Sequence, residues 1–158
     1  MLKITDKIEN YKALQCINNK YIINWGLKNN NDFYGTWYYK IYNSRPSVIT
    51  IKHDIEEFIN ANTKNKIINN FKWAGMNINL SSENQLNYKL LYDTTVLQNG
   101  KNLPEKVKFT IKDKDIYYSF ETIDELKNFI IAMNNHIRLH LINGWEEKRS
   151  IDYSQFTL

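Results

Sequence analysis

Apolar residues recur at spacings of three and four from Ile123 to Trp145, through Leu126, Ile130, Met133, Ile137 and Leu141. That period, with no proline inside it, predicts one long helix over about 122–148. Thr122 and Glu125 stand at its start as a capping box, each side chain accepting from an orphan amide of the first turn. A second apolar set, Phe129, Ile131, Leu139 and Ile142, lies off the main stripe, so the helix is expected to be covered on two sides. At ~1.5 Å per residue it spans on the order of 40 Å, against a radius of gyration of ~15 Å for a domain of this length. Part of the rod is therefore expected to pack outside its own core. Its predicted oligomer interface is Leu126, Phe129, Ile130, Met133, Ile137, Leu141, Ile142 and Trp145.

The remaining pattern is mixed. Ile4, Ile8, Tyr11, Leu14, Ile17 and Tyr21 carry helical spacing over residues 1–23, diluted by Asn18 and Asn19. Asn29 to Asp32 is a polar turn. Phe33 to Tyr42 alternates as a strand, with Phe33, Trp37, Tyr39 and Ile41 on one face and Tyr34, Thr36, Tyr38, Lys40 and Tyr42 on the other. Pro46 sits in turn chemistry, after which Val48 to Lys52 reads as a return strand. Asp54 is an expected N-cap, and the asparagines from Asn60 to Asn70 predict an interruption, with Thr63 capping a second helix. A short strand follows at Met76 to Leu80. Ser82 and Gln85 form a second capping box for a helix through Leu86, Leu90, Leu91 and Leu97, closed by Gly100 as C′ residue. Val107 to Ile111 and Ile116 to Phe120 form a hairpin about Lys112 to Asp115. The fold class is α+β: antiparallel β-hairpins packed with helices, ending in a long amphipathic helix, in a single domain over 1–158.

Composition supports a folded core, with 42% hydrophobic and 14% aromatic residues in 158. The net charge of +4 invites a nucleic-acid reading. Heavy use of Asn, Ile, Lys and Tyr points instead to an AT-rich genome. Arg45, Arg138 and Arg149 are the only arginines, few for a surface that reads phosphates or bases. Nucleic acid is therefore not the expected partner. Cys16 is alone, so no intrachain disulfide forms, consistent with folding in a cytoplasm. No apolar run is long enough for a bilayer, and the N-terminus lacks a signal-peptide pattern.

Chemistry-bearing motifs are sparse. His136 and His140 share a helix face at i, i+4, but no Cys, Asp or Glu flanks them at ligand spacing. Asp113 and Asp115 sit in a hairpin turn, where aspartate is common. The five glycines are dispersed, so there is no phosphate-cradling loop, and no serine occupies a nucleophile elbow. No catalytic residue, cofactor or metal is assigned. An enzyme would need residues that converge only in the fold, such as His53, His136 or His140 with a distant acid. Lys106, Lys108 and Lys112, with Tyr117 opposite, offer either a single-strand track or a lysine-protected edge. The aromatic strand, with Tyr34, Trp37, Tyr38, Tyr39 and Tyr42, is the candidate docking surface, or else a strand between two layers.

Four segments carry a resemblance: Leu80-Ser81-Ser82-Glu83-Asn84-Gln85-Leu86-Asn87-Tyr88, Gly100-Lys101-Asn102-Leu103-Pro104, Tyr117 through Leu126, and Gly144-Trp145-Glu146-Glu147-Lys148. Over roughly residues 70–152 the chain resembles small bacteriophage virion proteins, associated with head or tail fibres and of the gut crAss-like phage type, and a phage domain of unknown function. The resemblance implies a non-enzymatic structural subunit, folded in the host cytoplasm and located in the virion. Its partners would be itself, as dimer or trimer, and other virion proteins. The alternative is a small phage protein that binds a host defence complex or nucleic acid.

Overall fold

The computed structural model describes residues 1–111 and 114–157. Its elements are β1 (Leu2–Lys7), β2 (Leu14–Ile17), β3 (Lys20–Asn29), β4 (Tyr34–Tyr42), α1 (Val48–Asn69), β5 (Phe71–Trp73), β6 (Met76–Ile78), α2 (Ser82–Leu97), β7 (Glu105–Ile111), β8 (Lys114–Phe120) and α3 (Ile123–Arg149). Every strand pairing is antiparallel. The class is α+β, ending in the long helix. The expected single domain divides into two compact units, Met1–Asn60 with Trp145–Leu158, and Ala61–Gly144. Both divisions fall inside continuous helices, α1 and α3.

The first unit holds a four-stranded sheet in the order β1-β4-β3-β2. The helix expected over residues 1–23 is thus two strands and the start of a third. Asn18 and Asn19, which dilute the helical spacing, decide the matter. Both take positive φ, +51° and +59°, and close a two-residue turn that pairs Ile17 with Lys20. A two-residue hairpin with both φ positive follows the twist of its strands, and asparagine tolerates it. Gly26, at φ +68°, sits where the β3–β4 register shifts between Trp25 and Lys28, as expected of a bulge.

The expected return strand at Val48 to Lys52 is instead the first turn of α1. The Ser47 hydroxyl accepts from the Thr50 amide at 3.1 Å, so the presumed turn residue is an N-cap. Ile51, Ile55 and Ile59 then fall on one face and pack on Ile23, Trp25 and Phe156. Nor does α1 break at its asparagines. Asn60, Asn65 and Asn69 are exposed and Asn62 is half-buried, and Asn69 donates to Asn65 at 2.7 Å along the helix surface. Asp54 is inside α1, where it accepts from Lys40 at 2.5 Å and Tyr42 at 2.6 Å. Burial alone would raise its pKa; these two hydrogen bonds, with the nearby charges of Lys40 and His53, outweigh that and hold the carboxyl low.

In the second unit the hairpins β5–β6 and β7–β8 pack with α2 and α3. The cap of α2 is Ser81, one residue before the expected Ser82; it accepts from the Asn84 amide at 3.3 Å. Gln85 bonds the Leu80 carbonyl at 2.7 Å instead of closing a box. The C-terminus of α2 is a Schellman motif, with Asn99 N–H on Val96 and Gly100 N–H on Thr95. Asn99 is therefore the C′ residue and Gly100 the one after it. At the start of α3, Thr122 Oγ1 accepts from the Glu125 amide at 3.1 Å. The Glu125 carboxylate takes the Glu121 amide and the Tyr118 hydroxyl, tying the helix to β8.

Thr63, expected as a cap, lies mid-helix in α1 directly against Gly144 of α3. A Cβ at position 144 would collide with the Thr63 hydroxyl, and a β-branched side chain has little freedom to move away. Helix propensity alone favours Ala over Gly by ~1 kcal/mol. We expect the collision to reverse that sign, with Gly144→Ala destabilising by about 1–3 kcal/mol in urea melts. Adding Thr63→Ala should restore most of the loss.

Candidate interaction surfaces

The eight residues expected to form an oligomer interface on α3 separate into groups. Leu126, Phe129, Ile130 and Met133 are buried in the core of the second unit. Their side chains are covered mainly by their own chain, and Ile130 and Met133 reach the surface only in a groove between α2 and α3. Phe129 is fully buried, and its ring centre lies 5.7 Å from Phe71, 5.3 Å from Trp73, 5.1 Å from Tyr88, 6.0 Å from Phe109 and 5.3 Å from Phe120. Edge-on and tilted contacts at these distances are the favoured arrangements for aromatic rings. Ile137, Leu141 and Ile142 are half-buried. Trp145 is 58% exposed and, in the first unit, lines a shallow recess with Lys52, Arg149 and Tyr153. Ile131 and Leu139 are also exposed.

A further exposed apolar surface is on α2, the helix expected to run through Leu86, Leu90, Leu91 and Leu97. Tyr88 and Thr95 are the buried positions of α2, and Leu91 and Tyr92 pack with them. Thr95 Oγ1 accepts from Asn102 at 2.9 Å. Residues two apart on a helix point about 200° apart, so the leucines beside Tyr88 and Thr95 face out. Leu86 is 56% exposed, Leu90 53% and Leu97 82%. The signal was present: Tyr88, Leu91, Tyr92 and Thr95 are themselves at helical spacing, and the aromatic face outweighs the leucine face. Between α2 and α3 of this unit runs a groove of about 470 Å³, floored by Ile130, Met133 and Ile137, with Leu86 and Lys89 on its rim. Lys89 and Asp93 pair beside the leucines.

The candidate docking strand is mostly interior. Only Tyr34 of its five named residues is exposed, beside Phe33. Tyr38 lies beneath α1, with ring centres 5.9 Å from Trp25 and 4.8 Å from Phe58. Tyr42 is held by Asp54; burial first, then that hydrogen bond and the carboxylate charge, raise its pKa. Trp37 is buried and Tyr39 half-buried on the opposite sheet face. That face, with the segment from Asp6 to Lys12, encloses a cleft of about 530 Å³.

The histidine pair is brought together, with ring centres 4.5 Å apart. His136 Nε2 lies 3.1 Å from the Ile67 carbonyl, where an N–H donates. Burial, then the neighbouring His136 and Lys66, lower the pKa of His140. Among the described residues no group of three or more His, Cys, Asp or Glu is placed to hold a metal. Lys106, Lys108 and Tyr117 are exposed, but Lys108 pairs with Asp115 at 2.9 Å. Lys112 and Asp113 lie outside the described residues. Among those residues, no helix is long and apolar enough to cross a membrane.

No family model, curated protein or solved structure matches this chain.

The inner and outer apolar sets should respond differently to truncation. Phe129→Ala is expected to cost about 3–5 kcal/mol. Leu97→Ser should stay within about 0.5 kcal/mol of wild type. Paired denaturant melts read both.

Proposed function

We propose that this chain is a non-enzymatic structural protein of a tailed bacteriophage virion, a capsid-attached head-fibre or tail-fibre-associated subunit that self-assembles and docks to the particle. The observation that carries the assembly part is the exposed stripe Leu86, Leu90 and Leu97 on α2. Contiguous exposed apolar side chains on one helix face favour a partner surface. The occupant we assign is a second copy of the same helix. If two α2 helices pack antiparallel through their exposed faces, about a two-fold axis level with position 91, Leu86 of one copy approaches Val96 and Leu97 of the other. Lys89 then faces Asp93 across the axis, twice. Such an isologous contact matches charge as well as apolar surface. The virion part is supported by the resemblance over residues 70–152, a span that includes α2, the β7–β8 hairpin and α3.

Light scattering coupled to size exclusion tests the assembly. A dimer is expected at high micromolar concentration, and Leu90→Asp should give a monomer with an unchanged melting temperature. A wild-type protein that stays monomeric across the concentration range contradicts the assembly reading. Mass spectrometry of gradient-purified particles tests location, with stoichiometric copies expected and absence contradicting it.

A further inference from the structure

The cleft on the outer sheet face of the first unit is a prepared site. Its base is Trp37, whose indole N–H donates to Asn24 Oδ1 at 3.1 Å. Asn24 Nδ2 in turn donates to the Lys12 carbonyl at 2.6 Å. Tyr11 sets its ring edge-on to Trp37, with centres 5.5 Å apart, and its hydroxyl donates to the Asn24 carbonyl at 3.2 Å. The base and the Lys12 segment beside it are thereby held together, and a site held in place beforehand costs less to fill. On the rim the Asp6 carboxylate is oriented by the Lys7 amide at 2.7 Å and Asn10 Nδ2 at 3.1 Å. The Gln15 amide and the Tyr39 hydroxyl also line the cleft, on half-buried residues, and neither has a hydrogen-bond partner among the described residues.

We propose that this cleft binds a neutral saccharide, one or two pyranose rings in size. Its volume of about 530 Å³ falls within the ~300–1,000 Å³ of small-molecule sites. The floor is apolar and partly aromatic, its open surface coming from Ile4, Ile22 and Tyr39, with the buried Trp37 among the lining. It suits the C–H face of a sugar ring, which an aliphatic or aromatic surface desolvates. The rim supplies carboxylate, amide and phenol groups at the edge where ring hydroxyls would lie, and hydrogen bonds to a carboxylate are the stronger kind. Lys7 pairs with Glu9 at 3.5 Å, so Asp6 and Glu9 are balanced by Lys7 and Lys12, and a rim without net charge favours a neutral ligand over an ion. The site is independent of the assembly surface on α2.

Ligand-observed and amide NMR titrations test it, using neutral methyl pyranosides and disaccharides, with sialic acid as anionic and choline as cationic comparator. At least one neutral saccharide should give saturable shifts below about 10 mM, at the Trp37 indole and the Gln15 side-chain amide. Tyr39→Ala and Asp6→Asn should each weaken that binding at least about tenfold, 1.4 kcal/mol. Wild-type mapping keeps the test decisive should a variant fail to fold. The proposal is overturned by no saturable neutral ligand, by shifts that map away from the cleft, by binding of a charged comparator alone, or by affinity that survives both substitutions in folded protein.

Discussion

Phe129 is the residue around which the second unit is arranged. Five aromatic rings from β5, α2, β7 and β8 stand against it. To bring Tyr88 to that ring, with Thr95 buried on the same side, α2 must turn its aromatic side inward. The leucines two positions along then have only solvent. A core contact on one helix thus decides what the neighbouring helix offers outside. The same core takes up Leu126, Ile130 and Met133 from the main stripe of α3.

Much of this was legible in the order of residues. The strand at β4, the β7–β8 hairpin and the unbroken α3 all have strong periods, and the class followed from them. The failures share a cause: short polar residues carry two meanings. Asn18 and Asn19 weaken a helix, but they also take positive φ and make a tight hairpin. Ser47 belongs to a turn or to an N-cap, and Ile51, Ile55 and Ile59 decide in favour of the cap. The asparagines of α1 lower propensity without ending the helix, because burial of the isoleucine face is worth more. On α2 two apolar faces compete, and local spacing cannot rank them. Only the long-range contact with Phe129 does.

The first unit uses its aromatic residues in a different way. Tyr38 and Tyr42 serve the helix-facing side of the sheet, with Asp54 joining Tyr42 and Lys40 to α1. Trp37 and Tyr39 serve the other side, where the Tyr11–Asn24–Trp37 network holds a cleft open. Tyrosines on both faces therefore reflect a strand with two occupied sides. What no local pattern announced is that the second side is concave and polar at its rim. Asp6 and Asn10 are neighbours along the chain, and Gln15 and Tyr39 join them only through strand pairing.

Site-specific cross-linking tests the division between inner and outer faces most directly. With Cys16→Ser removing the exposed native thiol, a cysteine at Leu90 lies near the proposed two-fold axis, and one at Phe129 lies in the core. Mild oxidation should convert Leu90→Cys to a covalent dimer in high yield while Phe129→Cys stays uncross-linked. A Leu90→Cys protein that remains monomeric on oxidation, in folded material at high concentration, would contradict the account.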